Sequence, residues 1–139
     1  ILKKELLSIP IFGWYLKKIK SISIDRNKIN KENLNFYEKI KTSLKSTDRP
    51  IIIFPQATRV AANDRSPFKK GASRIYETLN IECQPVAINS GNVWPKSGVL
   101  IANKTITISI LKPIESGLDS KKFLEILQNS IYKELDNIS

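Results

Sequence analysis

Three short stretches put cationic side chains where a turn in the chain would present them. Asp25-Arg26 follows Ser-Ile-Ser-Ile at 21–24. Gln56-Ala57-Thr58-Arg59 follows Ile-Ile-Ile-Phe-Pro at 51–55. Lys69-Lys70-Gly71 follows Pro67-Phe68. An arginine fork donates two parallel hydrogen bonds to a phosphate, and Gln56 and Thr58 add polar groups beside it. Gly71 allows close backbone approach and opens a helix whose N-terminus favours anions. Arg26, Arg59, Lys69 and Lys70 are therefore candidate ligands for one anionic group. Each element alone is weak, because an arginine at a strand end is as readily surface filler.

Other chemistry is restricted by composition. No histidine is present, which removes the usual neutral-pH base and the commonest metal ligand. Cys83 is the single cysteine, so neither an intrachain disulfide nor a cysteine metal cluster can form. Nothing in the pattern calls for a metal. The net charge of +10 lies wholly in residues 1–70, where 16 basic face 6 acidic residues; residues 71–139 hold 7 of each. Such asymmetry suits a phosphorylated substrate, an anionic lipid surface or a nucleic acid, or else lysine serving as solvated surface. No helix-turn-helix, zinc or RNA-binding signature accompanies the charge, so no nucleic-acid partner is expected.

The elements that must position these residues follow from periodicity. With 139 residues, 41% of them apolar, the chain is sized for one domain, 1–139. Residues 1–20 cluster Leu2, Leu6, Leu7, Ile11, Phe12, Trp14, Tyr15, Leu16 and Ile19 among lysines, and Pro10 and Gly13 limit them to two short helices. Those aromatics are either core or an interfacial face that dips among lipid headgroups. Residues 21–24 read as a strand and 30–46 as a helix. Ile51–Phe54 reads as a fully buried parallel strand. A helix opens at Gly71 with Ala72, Ile75 and Leu79 inward. Pro85–Ile88 reads as a second buried strand, and 105–111 as a half-exposed one. The last helix, 120–136, turns Phe123, Leu124, Leu127, Ile131 and Leu135 inward. This alternation predicts an α/β fold, a mixed, largely parallel sheet flanked by helices. No run of 18 apolar residues exists to span a bilayer.

The order Ile24-Asp25-Arg26, Ile53-Phe54-Pro55-Gln56-Ala57-Thr58-Arg59, Phe68-Lys69-Lys70-Gly71-Ala72 and Gln84-Pro85-Val86-Ala87-Ile88 resembles the glycerolipid acyltransferases, the 1-acylglycerol-3-phosphate O-acyltransferases. Their blocks are Ile-Asp-Arg, Phe-Pro-Glu-Gly-Thr-Arg, Phe-Lys-x-Gly and Val-Pro-Val-Ala. The resemblance covers nearly the whole chain. It implies transfer of an acyl group from acyl-CoA or acyl-carrier protein to the free hydroxyl of a lysophospholipid, lysophosphatidate giving phosphatidate. It needs no cofactor beyond that acyl donor. Arg26 and Arg59 become phosphate ligands with Lys69 and Lys70. Phe54, Pro55, Gln56, Ala57, Thr58 and Gly71 form the substrate loop. An anionic membrane surface is the implied partner, and the cytoplasmic face of a membrane, a bacterial inner membrane, the implied location. A lipid-binding homologue without catalysis is the alternative.

Two departures qualify that expectation. The family's base is a histidine in a His-x4-Asp motif upstream of the Ile-Asp-Arg block. This chain has no histidine and no methionine, so we expect it to lack its N-terminal part and to be inactive alone. Gln56 and Ala57 also stand where the family has Glu and Gly. Glutamine drops a charge. Alanine costs roughly 1–2 kcal/mol if the loop needs φ > 0.

Overall fold

The computed structural model describes residues 2–24, 32–46, 49–61 and 63–138. They fall into two compact units, 1–53 and 54–139.

In the first unit, β1 (Leu2–Lys3) pairs in parallel with β2 (Ser23–Ile24), Leu2 opposite Ser23 and Lys3 opposite Ile24. The sequence reading found β2 and missed β1, because two residues carry no periodicity. The two short helices expected around Pro10 are present: a 3₁₀ helix at Lys4–Ser8 and α1 at Phe12–Lys18. Gly13 lies inside α1 and is buried, and it is what lets the pair touch. A Cβ there would sit 2.2 Å from the Leu7 carbonyl oxygen. Leu16 turns inward, whereas Ile11, Phe12, Trp14 and Tyr15 are exposed, Ile11 at 84% and Trp14 at 65%. The Lys18 ammonium lies 5.1 Å from the Trp14 ring centroid, a cation–π contact one turn apart. The polar helix α2 (Glu32–Ser46) buries Phe36 and Ile40.

The run Ile51–Phe54 is not a buried strand. It forms no regular element among the described residues, and Ile52 and Phe54 are 66% and 72% exposed. Proline at 50 and at 55 removes a backbone donor at each flank, and composition cannot supply the partner strand that a ladder requires.

The second unit is built on two helices. In α3 (Gly71–Leu79) Ala72, Ser73, Ile75 and Tyr76 are buried, and Asn80 ends the helix in the left-handed conformation, its N–H donating to the Tyr76 carbonyl. In α4 (Ser120–Ile138) Phe123, Leu127, Ile131, Tyr132 and Leu135 are buried. Asp119 caps α4, accepting from the Lys121 and Lys122 amides at 3.0 Å each. These bonds hold its carboxyl below the usual carboxylate range, the Lys122 amide contributing most. The helices meet through Tyr76 and Phe123, stacked at 3.8 Å between centroids.

Strands β3 (Val86–Ile88) and β4 (Ile108–Ile110) pair antiparallel, Ala87 opposite Ser109. A largely parallel sheet is thus not what the described residues form. One ladder is parallel and two residues deep; the other is antiparallel. The strand at 85–88 is buried on one face only. Pro85 and Ala87 turn inward, and Val86, Ile88, Ile108 and Ile110 turn out. Helix α4 packs on β3, where a small residue such as Ala87 admits the helix closely. Buried Asn89 ties strand, hairpin and helix end together. Its Nδ2 donates to the Ile138 carbonyl at 2.6 Å, and its Oδ1 accepts from the Thr107 amide at 2.7 Å.

Candidate phosphate-binding loop

The described residues of 54–70 lead into α3 without regular structure, so the loop is held by individual bonds. At its start the Ala57 N–H donates to the Phe54 carbonyl at 3.0 Å, closing a turn with Pro55 at its second position. Ala57 has φ of 60°. The loop therefore does adopt the left-handed conformation that glycine accepts freely and alanine only at a cost. At its end the Lys69 N–H donates to the Pro55 carbonyl at 2.9 Å. This bond brings the lysine pair back to the turn that leads into Thr58 and Arg59.

Arg59, Thr58, Lys69 and Lys70 are exposed. Lys70 occupies the N-cap of α3, its carbonyl accepting from the Arg74 amide and from the Ser73 hydroxyl. Three of the four predicted cations thus sit on one loop closed by the Pro55–Lys69 bond. Arg26 and its neighbour Asp25 lie outside the described residues. Gly71 plays a smaller part than expected. A Cβ added there meets nothing within 4 Å, so no close approach in this structure requires glycine.

The loop's far limb rests on α4. The Phe68 N–H donates to Gln128 Oε1 at 2.9 Å, and the Phe68 ring meets Tyr132 edge-on at 4.9 Å. The Tyr132 hydroxyl donates to the Ser66 carbonyl. Arg65 lies over the Tyr132 ring at 5.2 Å and pairs with Asp136. Burial pushes the Tyr132 phenol above its usual value, with a hydrogen bond from Gln56 and the Arg65 charge opposing and the Asp64 charge reinforcing. Asp64 is held below the usual carboxylate range, chiefly by hydrogen bonds from the Ser66 side chain and amide. The sequence reading missed Gln128, Tyr132 and Asp136. Their spacing of four was a visible signal that one helix face carries them, but their partners lie 60 to 71 residues away.

Exposed cations thus share a proline-started loop with a left-handed residue at its turn and a lysine pair at a helix start, on a scaffold of helices and small sheets. The acyltransferase family model matches residues 1–89, and the chain belongs to that family. It is similar to proteins named 1-acyl-sn-glycerol-3-phosphate acyltransferase from three organisms. Identity is 34% with that of Pseudomonas aeruginosa, over 70% of this chain and 38% of the relative. It is 32% with that of Helicobacter pylori, over 96% and 56%, and 31% with that of Saccharomyces cerevisiae, over 82% and 38%. The chain therefore spans about half the length, or less, of the curated relatives it matches. No solved structure matches it significantly.

Proposed function

We propose that this chain is the phosphate-binding portion of an O-acyltransferase that acylates a lysophospholipid, lysophosphatidate giving phosphatidate. The observation that carries the reading is the Pro55–Lys69 bond, which sets exposed Arg59 and the Lys69-Lys70 pair on one closed loop. A phosphate monoester suits that set. The guanidinium offers a planar fork, the ammonium groups offer point charges, and Thr58 offers a hydroxyl. Holding the acceptor by its phosphate fixes where its free hydroxyl lies, and fixed geometry is itself a large part of the barrier reduction.

The transfer then needs one base. It takes the hydroxyl proton as that oxygen forms its bond to the thioester carbonyl carbon; the carbon–sulfur bond breaks, the base returns the proton to the sulfur, and the free thiol of CoA or acyl-carrier protein leaves. No residue described here supplies the base, and the chain has no histidine. We assign it to the family's His-x4-Asp motif, outside these 139 residues. No further cofactor enters this scheme.

We place the protein on the cytoplasmic face of an anionic membrane. Exposed Ile11, Phe12, Trp14 and Tyr15, with Lys17 and Lys18 beside them, fit an interfacial helix. No described helix is long and apolar enough to cross a membrane.

The test is Arg59→Ala in the full-length protein, assayed with lysophosphatidate and an acyl-CoA. Losing a charge-assisted hydrogen bond is worth roughly 1.5–3 kcal/mol, so the acceptor KM rises about tenfold or more. A change below threefold overturns the assignment.

A further inference from the structure

Arg59 sits in a stretch with few constraints of its own. Between the turn at Phe54–Ala57 and the bond from the Asp64 amide to the Ala61 carbonyl, no further backbone bond appears among the described residues. A flexible loop bearing the key cation would lose binding energy to ordering it. Where that stretch sits is decided by its two ends. The near end is closed by Lys69 and Pro55. The far end, residues 65–68, is seized by one face of α4.

Gln128, Tyr132 and Asp136 follow each other at intervals of four, so they stand one above another on the helix. Gln128 accepts from the Phe68 amide, Tyr132 donates to the Ser66 carbonyl while its ring packs on Phe68, and Asp136 pairs with Arg65. Phe68 and Tyr132 are both buried. Three loop residues, Arg65, Ser66 and Phe68, are thereby fixed on a nineteen-residue helix anchored in the core. The grip is more than apolar packing, since it uses two backbone groups of the loop, the Ser66 carbonyl and the Phe68 amide, and so sets register as well as contact.

We propose that Tyr132 and Gln128 are positioning residues of the substrate site: from α4 they hold the far limb of the loop, and through it the placement of Arg59. The proposal rests on the phosphate-binding reading of that loop. Neither side chain is assigned contact with the acceptor. Each acts through the backbone between Ser66 and Lys69.

The experiment uses the full-length protein and two variants. Tyr132→Phe removes the hydroxyl and keeps the ring on Phe68. Gln128→Ala removes the acceptor of the Phe68 amide and serves as the second probe should the first fold poorly. Amide hydrogen exchange of Ala57, Ser66, Phe68 and Lys69 is read alongside steady-state kinetics with lysophosphatidate and acyl-CoA. Faster exchange at these amides, with α3 unchanged, is expected. Acceptor KM should rise about fivefold, the effect of one ordinary hydrogen bond, while the donor KM stays constant. A purely structural role would lower the melting temperature without separating the two KM values. Unchanged loop exchange in both variants overturns the clamp. Faster exchange with an unchanged acceptor KM, while Arg59→Ala raises it, overturns the positioning role. An Arg59→Ala variant without effect overturns the phosphate reading, and the role given to Tyr132 falls with it; the exchange pattern then still reports whether the clamp exists.

Discussion

The Lys69 amide donates to the Pro55 carbonyl at 2.9 Å across fourteen residues of chain. That bond turns an open connection into a closed loop, with the cationic pair at one end and Arg59 inside it. Closing a loop of this length costs entropy that grows only slowly with length. The supporting contacts on α4 can offset it.

Ala57 stands at φ of 60° in that loop. Ala57→Gly removes the Cβ clash of the left-handed conformation, and we expect a net gain of about 1 kcal/mol in stability after the extra freedom glycine gives the unfolded chain. Thermal or denaturant unfolding measures it. A loss of stability would mean that the alanine methyl contributes packing worth more than the strain.

Gly13 allows α1 to touch the preceding 3₁₀ helix. A methyl group at 2.2 Å from the Leu7 carbonyl oxygen cannot be accommodated without moving backbone. Gly13→Ala should destabilise the first unit by roughly 1–3 kcal/mol, the usual cost of overpacking, despite alanine's better helix propensity. An unchanged melting curve would show that the two helices can separate freely.

The Tyr132 phenol has its value raised, first by burial. A raised folded-state value means the neutral phenol is favoured by folding. That contribution is fully present below the ordinary tyrosine value near 10 and is lost as pH rises through the higher folded value. Tyrosinate absorbance should show a late-titrating component from Tyr132 that is missing in Tyr132→Phe. Above pH 10 the wild-type protein should lose stability more steeply than that variant. Parallel pH curves would contradict the buried, hydrogen-bonded phenol.

Gln56 lowers the Tyr132 phenol value against the effect of burial, while that phenol gives its proton to the Ser66 carbonyl. An ionised glutamate there can only accept, so it competes for that proton. Gln56→Glu should therefore loosen residues 66–69 in hydrogen exchange and raise the acceptor KM. Full or improved activity would show instead that Gln56 simply fills a glutamate's place.

Much of this protein was legible in its residues. Glycine at 71 and aspartate at 119 announced two helices, and apolar spacing named Ile75, Phe123, Leu127 and Leu135 as inward. The family blocks located the loop, and the alanine in place of glycine flagged the left-handed turn. These features are local: capping, periodicity and turn chemistry act within a few residues, so the sequence carries them directly. Ile51–Phe54 misled because β-branched apolar runs report burial propensity and not the presence of a partner. The isoleucines at 106, 108 and 110 face outward because α4 covers the opposite face of the hairpin at Ala87. The same holds for Tyr132 and Gln128. Their partners, Ser66 and Phe68, come from a distant part of the chain, and only the packing of α4 against the second unit's core brings those backbone groups within hydrogen-bond reach.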